Sequence, residues 1–346
     1  MKMDKPIVLI LCGGRSLRLW PLSQYKSKNF IDIFGFSPLE ITIKRFLKVA
    51  PLDNIYLVAN KNEKKSLEKL KLVNKKNIIF ESEGKNTAAA VFLSLLNLRK
   101  YAKNNIIIAP VDALIKKEKN FYLVLNKSLK AASDGWLCSL GIKPVTPDIN
   151  FGYILAKGDS GEKAKGIYPV SKFIEKPGLD LAKRLISKGN CYFNSGMFIS
   201  RISTLLEEYK KYYYVYDRFV ENFDKGTISG FYKNIKNIPF DKVIMEKTKK
   251  AMVIESNFSW KDFGNWQAIY EVLPKDKNGN AKKGNICMNK SANNLVYIDN
   301  TKKKILVMGI DNICFVDTKE YTLLTTRDKL DSLKSALAYM NSGKRR

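Results

Sequence analysis

LCGGRSLRLWPLS, residues 11–23, follows directly on the apolar run IVLI at residues 7–10. A β-branched run that breaks into two glycines, with an arginine shortly after, is typical of the first strand-to-loop turn of a nucleotide-binding α/β domain. Glycine lets the backbone approach an anion closely, so that successive N–H groups can point at phosphate. We therefore interpret Leu11, Gly13 and Gly14 as the start of a phosphate-binding loop, although a glycine pair after a strand is also found in plain tight turns.

The pattern after this loop predicts alternating helices and strands up to about residue 115. Such a βαβ series forms a parallel sheet whose ligands bind beyond the carboxyl ends of the strands. Shorter strands at about 135–200 predict a mixed-sheet insertion, and 203–249 is predicted to be largely helical, with its aromatic residues in the core. The predicted strands lie at 7–11, 55–59, 78–80 and 106–109, and the predicted helices at 39–49, 66–72 and 87–101.

The end of the chain has a different character. Short β runs separated by turn residues occur at 295–298, 305–308, 313–316 and 321–325, and an apolar helical pattern follows at 329–340. We expect a small β-rich unit here, resembling a few coils of a β-helix. The predicted fold is thus α/β: a Rossmann-like catalytic domain with a mixed, mostly parallel sheet at 1–275, followed by a β-helix-like domain at 284–346.

Composition excludes several classes of function. The chain has 61 Lys and Arg against 33 Asp and Glu, a net charge of +28, and no histidine. The basic residues are scattered rather than gathered in Arg-rich tracts, so we expect phosphorylated small molecules and not nucleic acid as partners. Without histidine, any catalysis must depend on carboxylates, Lys, Arg and a hard metal ion.

The cysteines and the N-terminal segment indicate the cellular compartment of the protein. The five cysteines are far apart and never spaced as CxxC, which argues against a disulfide framework and a zinc site. The N-terminal apolar run is flanked by charges and is too short to span a bilayer or to form a signal-peptide core. A cytoplasmic protein without membrane association is therefore expected.

Several further motifs make a family resemblance specific. Together with RLWPLS at 18–23, they resemble the signatures of the sugar-nucleotide pyrophosphorylases, and in particular of the mannose-1-phosphate guanylyltransferases, in the order in which that family has them. The resemblance covers about residues 7–272. The further motifs are ESEGKNTA at 81–88, PVD at 110–112, FGYI at 151–154, FIEKP at 173–177, NSGMF at 194–198 and WKDFGNW at 260–266.

The resemblance implies transfer of GMP from GTP to mannose 1-phosphate, with pyrophosphate leaving. The reactants are all anionic, so positioning and charge neutralisation would supply most of the catalysis. By similarity with the family, Asp112 and Asp262 hold Mg²⁺, a hard ion that prefers oxygen ligands. Arg18 and Lys28 would hold the β- and γ-phosphates, and Lys176 the phosphate of the sugar.

Binding roles also follow from the resemblance. The sugar would be bound by Gly152, Tyr153, Glu175 and Asn194, with Gly152 leaving room for the ring. Glu81 is expected to recognise guanine, because one carboxylate can accept hydrogen bonds from both the N1–H and the exocyclic amine of that base. Asn86 and Thr87 begin a predicted helix, where a side-chain cap and the helix dipole can help to bind a nucleotide.

The chain also departs from the family pattern. Ser16 replaces a glycine and would be strained if that position needs a positive φ, and Leu17 replaces a hydroxyl residue. Two alternatives therefore stay open: a relative that uses another sugar 1-phosphate, such as a heptose phosphate, or another nucleotide, and a non-catalytic nucleotide-binding regulator. We expect a short form without the isomerase domain of longer members, and a homodimer is left open.

Overall fold

The main sheet is organised around the first strand, β1, which lies between two parallel neighbours. The protein is described by a computed structural model over residues 5–14, 16–32, 35–157, 166–300 and 302–342. Arg15, within the quoted phosphate loop, lies outside these residues. The sheet has nine strands: β1 (Ile7–Cys12), β2 (Ile55–Asn60), β3 (Ile78–Glu81), β4 (Asn105–Pro110), β6 (Leu137–Ile142), β7 (Tyr153–Ala156), β8 (Ile167–Ile174), β9 (Cys191–Arg201) and β10 (Ala251–Ser256).

The strand order is β3-β2-β1-β4-β9-β6-β10-β8-β7. The strands β3, β2, β1 and β4 pair in parallel, as the βαβ pattern predicts. Beyond them β9 runs antiparallel to β4 and β6, which makes the sheet mixed. The predicted α/β fold class is confirmed. Two short strands, β5 (Ala113–Lys116) and β11 (Ser259–Asp262), lie outside this sheet.

Helices cover the apolar strands. In α3, the residues from Ala88 to Leu96 are buried, and Phe92 stacks on Tyr209 with 4.7 Å between ring centroids. Tyr213 and Phe219 also pack against Phe92, so the aromatic residues of the helical segment belong to the core as predicted. The helices are α1 (Pro38–Phe46), α2 (Lys64–Leu70), α3 (Asn86–Asn97), α4 (Glu118–Ser133), α5 (Leu179–Ser187), α6 (Ile202–Tyr212), α7 (Tyr216–Asp224), α8 (Ile228–Lys233), α9 (Trp266–Val272) and α10 (Leu333–Asn341), with a π-helix at Asp241–Met245.

The chain divides into two compact units. The first consists of Met1–Gly13, Ile43–Val111 and Ile115–Trp260, and holds the nine-stranded sheet. The second consists of Gly14–Thr42, Asp112–Leu114 and Lys261–Arg346. The second unit therefore includes Gly14 and the residues that follow it. The sequence pattern, in contrast, predicts a boundary between two domains at 275–284.

A shared core explains that second unit. Leu19 and Trp20 pack in one buried cluster with Trp266, Leu295 and Leu337, so the segment after the phosphate loop is held by the C-terminal tail. The tail strands β12, β14 and β16 pair in parallel, as do β13 and β15, and β17 closes the first set antiparallel to β16. These strands are β12 (Ala281–Lys283), β13 (Asn285–Asn289), β14 (Leu295–Ile298), β15 (Lys304–Met308), β16 (Ile313–Asp317) and β17 (Thr322–Thr326).

Within the described residues, no helix combines the length and the apolar character needed to cross a bilayer. Several observed elements were not predicted from the sequence. Helix α4 carries buried residues at Phe121, Val124, Leu125 and Leu129, a helical spacing that was readable in the sequence but was not used. Strand β10, with the buried pattern of an interior strand, was also missed.

Candidate active site

The phosphate loop begins where β1 ends. Gly14 has a φ of +93°, a conformation that favours glycine, and a Cβ added to it would meet nothing within 4 Å. Gly13 is exposed, and Leu11 lies within β1, where it pairs with Val58 of β2 and Pro110 of β4. Arg18 follows in a short 3₁₀ turn, Leu17–Leu19, with 41 % of its side chain exposed. The loop is thus open to solvent at the positions that were predicted to meet phosphate.

Ser16 is not strained. Its φ is −83°, in the extended region, so the position does not require glycine. Its hydroxyl donates a 2.7 Å hydrogen bond to the carbonyl oxygen of Gly264. The bond ties the phosphate loop to the segment that follows Asp262, and Ser16 replaces glycine here with a contact that glycine could not make. Leu17 is 45 % exposed. Its side chain offers no hydroxyl at this position, and it disturbs no packing.

Restoring glycine at position 16 is expected to destabilise the protein. Ser16→Gly removes the hydrogen bond to Gly264 and frees the unfolded backbone, which together should lower the free energy of unfolding by about 1–2 kcal/mol. Urea denaturation would measure it, with Ser16→Ala separating the loss of the bond from the backbone effect. A glycine variant as stable as the parent would show that the bond contributes nothing.

Lys28 and Asp112 form the largely buried ion pair of this site. Lys28 begins a 3₁₀ turn, Lys28–Phe30, and its Nζ donates to Asp112 Oδ2. Burial alone would lower the pKa of Lys28, but the charge of Asp112 outweighs it and the pKa is raised. Burial alone would raise the pKa of Asp112, yet the ammonium of Lys28 holds it below its usual range. The pair is therefore charged at neutral pH.

Asp262 is the second carboxylate of the site and lacks a comparable partner. Its Oδ1 is buried, and no donor among the described residues bonds it. Arg18 Nη2 lies 4.0 Å from Asp262 Oδ2. Burial, with the charge of Asp112 added, raises the pKa of Asp262 to about 7. A Cβ on Gly264 would lie 2.8 Å from Asp262 Oδ2, so a larger residue at position 264 would displace that carboxylate.

This donor set fits a hard divalent cation. Two neighbouring carboxylates, one with an unpartnered buried oxygen, supply the oxygen ligands that Mg²⁺ prefers. The backbone keeps the two aspartates in register, because Phe263 N donates to Asp112 O at 2.9 Å. In the described part of the chain, no three potential metal-binding side chains lie together.

The predicted base-reading residues lie at the carboxyl end of β3. Glu81 is 5 % exposed and accepts a hydrogen bond from the hydroxyl of Tyr232. Burial raises its pKa to about 7, against the opposing effect of that hydroxyl. Asn86 has a φ of +67° and is exposed, while Thr87 Oγ1 accepts from Phe240 N at 2.8 Å. Thr87 thus stabilises the start of the helix. Lys85, at the N-cap of the helix, makes no side-chain cap bond.

Four of the predicted sugar-binding residues come together in the first unit. A Cβ on Gly152 would meet Glu175 Oε2 at 2.7 Å and Asn194 Cβ at 3.4 Å, so these three positions adjoin. Lys176, with a φ of +48°, pairs with Glu175 through a 2.6 Å contact from Nζ to Oε1. Asn194 lies inside strand β9, not in a turn before Gly196.

The side chain of Tyr153 lies in the core. Its side chain is buried against Phe193, Leu185 and Cys191, and its hydroxyl exchanges hydrogen bonds with the backbone of Asp148 at 2.9 and 3.0 Å. Gly152 precedes β7 and adjoins Glu175, whereas Tyr153 is the first residue of the strand and its side chain belongs to a buried cluster. We withdraw a sugar contact from this side chain.

Sequence reasoning missed two residues that shape these sites. Asp241 accepts a hydrogen bond from Asn194 Nδ2 at 2.8 Å, and Tyr232 holds Glu81. Both lie in the segment that was predicted as helical, and neither belongs to a quoted motif. The one local signal is an aspartate directly after the Pro239-Phe240 helix breaker.

The chain matches known proteins along most of its length. A model described as nucleotidyl transferase matches residues 7–279. The alginate biosynthesis protein AlgA of Pseudomonas aeruginosa is 33 % identical over 347 residues, covering 95 % of this chain and 70 % of the relative. A mannose-1-phosphate guanylyltransferase of Escherichia coli is 32 % identical over 359 residues, covering 98 % of this chain and 76 % of the relative.

A solved structure supports the fold. A crystal structure described as mannose-1-phosphate geranyltransferase from Thermus thermophilus matches with a TM-score of 0.86 and 24 % identity, covering 98 % of this chain and all of that one. The fold and the extent of these matches lead to one conclusion. The chain belongs to the nucleotidyl transferase family.

Proposed function

We propose that the protein transfers GMP from GTP to mannose 1-phosphate, giving GDP-mannose and pyrophosphate. The observation that carries the proposal is the pair Asp112 and Asp262 beside Lys28, in which one buried carboxylate oxygen is left without a donor among the described residues. A relative 32 % identical over nearly the whole chain is named for this reaction.

In this proposal the second unit binds the triphosphate. Lys28 and Arg18 are cations beside the two aspartates and would balance the charge of the β- and γ-phosphates. Asp112 and Asp262 would hold Mg²⁺. When bound, the ion would neutralise phosphate charge and so ease attack at the α-phosphorus. The exposed amides after β1, at Gly13 and Gly14, offer further donors to phosphate.

The first unit would bind the sugar phosphate and the base. Glu175 and Asn194 beside Gly152 are suited to sugar hydroxyls, and Lys176, with 60 % of its side chain exposed, is free to reach a phosphate. For the base, Glu81 would accept the N1–H and the amine of guanine while it keeps the hydrogen bond from Tyr232. Adenine and uracil lack that pair of donors.

Gly152→Ala is expected to weaken sugar binding selectively. The new Cβ would lie 2.7 Å from Glu175 Oε2, the far end of a side chain, so Glu175 moves while the fold persists. We expect the KM for mannose 1-phosphate to rise about ten- to a hundredfold, with the KM for GTP and the melting temperature little changed. Gly178→Ala is the matched control, because its Cβ would meet nothing within 4 Å. Equal effects of both variants would remove Gly152 from the sugar site.

An assay of pyrophosphate release tests the whole proposal. Each of the four nucleoside triphosphates would be paired with mannose 1-phosphate and with other hexose or heptose 1-phosphates, with and without Mg²⁺. We expect turnover to be fastest with GTP and mannose 1-phosphate and to require the metal. Fastest turnover with another pair would reassign the substrate. Tight GTP binding without turnover for any pair would favour the non-catalytic regulator.

We also propose a cytoplasmic location, in keeping with nucleotide substrates and with the free thiols of Cys138, Cys191, Cys287 and Cys314. We also propose a homodimer, and sedimentation of the purified protein would measure its oligomeric state. Neither a nucleic acid nor a membrane is proposed as a partner.

A further inference from the structure

Helix α8 is attached at both ends to the loop that joins β3 to α3. Near the start of the helix, Ser229 O accepts from Ser82 Oγ at 3.4 Å. At the last residue of the helix, Lys233 O accepts from Lys85 Nζ at 2.5 Å. Carbonyl groups in the last turn of a helix have no partner within the helix, and Lys85 supplies one. The two contacts hold α8 beside the loop that follows Glu81.

Tyr232 bonds Glu81 from a position in α8 between these two contacts. Its hydroxyl donates to Glu81 Oε1, which is 151 positions away in the sequence. Tyr232 is 1 % exposed and Glu81 is 5 % exposed, so water competes little for the bond. Burial and the charge of Glu81 raise the pKa of Tyr232, so its hydroxyl keeps its proton and acts as the donor.

Packing fixes the ring of Tyr232. The ring lies edge-on to that of Phe219, with 5.9 Å between the two centroids, and both residues belong to one buried cluster of the first unit. The ring cannot withdraw from Glu81 without exposing apolar surface to water. The position of the hydroxyl is therefore set by the fold before any nucleotide binds.

We propose that Tyr232 is a positioning residue for the base: it holds the Glu81 carboxylate in the orientation that accepts the N1–H and the exocyclic amine of guanine. It thereby favours guanine over hypoxanthine and adenine. The inference rests on the proposed function, which assigns Glu81 to guanine. It places a determinant of nucleotide choice in α8, outside every motif quoted from the sequence.

The geometry of guanine explains why orientation matters. Its N1–H and exocyclic amine lie side by side in the plane of the base, so a carboxylate accepts from both only when its own plane matches. A glutamate side chain with one oxygen already held has less freedom to lose when the base binds. Hypoxanthine has the N1–H but no amine, so it would leave one carboxylate oxygen without a donor.

Tyr232→Phe removes the hydroxyl and keeps the ring. Loss of a hydrogen bond to a charged group should raise the KM for GTP about ten- to a hundredfold. The value of kcat should change less than about threefold, and the KM for mannose 1-phosphate should stay as in the parent. The preference for GTP over ITP, measured as the ratio of kcat/KM values, should fall at least about fivefold.

A double-mutant cycle with Glu81→Gln separates positioning from a merely structural role. If Tyr232 acts through the carboxylate, Tyr232→Phe should change the GTP-to-ITP ratio less than about twofold in the Glu81→Gln background. A structural role of Tyr232 would instead give the same factor in both backgrounds. The cycle therefore measures the coupling between the two side chains and not the cost of altering either one.

Tyr122→Phe is the matched control. The hydroxyl of Tyr122, on helix α4, donates to Arg45 O at 3.0 Å, so this variant also loses one hydroxyl hydrogen bond in the first unit. It should keep the parental KM values and the parental GTP-to-ITP ratio. The melting temperature of every variant is measured alongside. Calorimetric titration with GTP and with ITP, in the presence of Mg²⁺ and without sugar phosphate, gives nucleotide affinity independently of turnover.

The outcomes distinguish the inference from the proposed function. An unchanged GTP-to-ITP ratio in Tyr232→Phe, or equal factors in both backgrounds of the cycle, would overturn the inference, and turnover of the parent with GTP would leave the proposed function intact. Absence of turnover with every substrate pair would overturn the proposed function. A preference for GTP that is seen in the binding titration and lost in Tyr232→Phe would support the inference even then.

Discussion

Asp262→Asn is expected to reduce Mg²⁺-dependent turnover by about 10²–10³-fold or more while the protein stays folded. The substitution preserves shape but removes one of the two carboxylates that are proposed to hold the metal. Asp262 Oδ1 has no donor among the described residues, so the native fold does not depend on a hydrogen bond to that oxygen. The like charge of Asp112 nearby makes the carboxylate at 262 costly in the absence of a metal.

The thermal stability of Asp262→Asn without metal should therefore equal or exceed that of the parent, in contrast to its activity. Calorimetric titration with Mg²⁺ and GTP would measure metal binding independently of turnover, and weaker binding is expected. Asp299→Asn is the matched control, since Asp299 pairs with Lys26 at 3.6 Å in the same unit. Turnover of Asp262→Asn close to that of Asp299→Asn would exclude Asp262 from the metal site.

Lys28→Met is expected to lose both activity and stability. Lys28 is the cation bonded to Asp112, with 19 % and 13 % of the two side chains exposed. Its removal leaves two neighbouring aspartates without that charge, which should lower the free energy of unfolding by about 2–4 kcal/mol. Loss of a cation at the proposed phosphate site should lower turnover about 10²–10³-fold.

Lys26→Met supplies the comparison for Lys28→Met. The Lys26–Asp299 pair is 3.6 Å apart, and 49 % and 37 % of its side chains are exposed, so its loss should cost at most about 1 kcal/mol and leave turnover unchanged. Denaturant titration and the pyrophosphate assay would be run on both variants. Lys28→Arg, which keeps the charge, should recover most of the stability. Equal behaviour of Lys28→Met and Lys26→Met would show that the buried pair has no special role.

Much of the fold could be predicted from local pattern. The strands β1 to β4 and the helices between them follow from apolar runs of different period, because burial of one face imposes that period on each element. The parallel order of those strands follows from the helical crossovers. The missed elements show the limit of this reasoning: β10 pairs in parallel with β6 more than a hundred residues away, and no local signal marks that pairing.

The candidate site was predicted in part. Residue type and family resemblance pointed to Lys28, Asp112 and Asp262, which the structure brings together, and to Glu175, Lys176 and Asn194, which adjoin. Their roles toward substrates remain predictions. Tyr153 was assigned to the sugar on its motif alone, and the direction of its side chain depends on which face of a strand is buried.

The sequence by itself determined the chemistry that this protein can offer: carboxylates, lysines and arginine without histidine, on a parallel α/β frame. Tertiary structure alone decided how those groups are held. Ser16 bonds Gly264, 248 positions away, and Asn194 bonds Asp241, 47 positions away. Trp20 after the phosphate loop lies in the same buried cluster as Leu337 of the last helix. Such contacts depend on where distant segments meet, and they decide the hydrogen bond of Ser16, the charge balance at Asp262 and the orientation of Asn194.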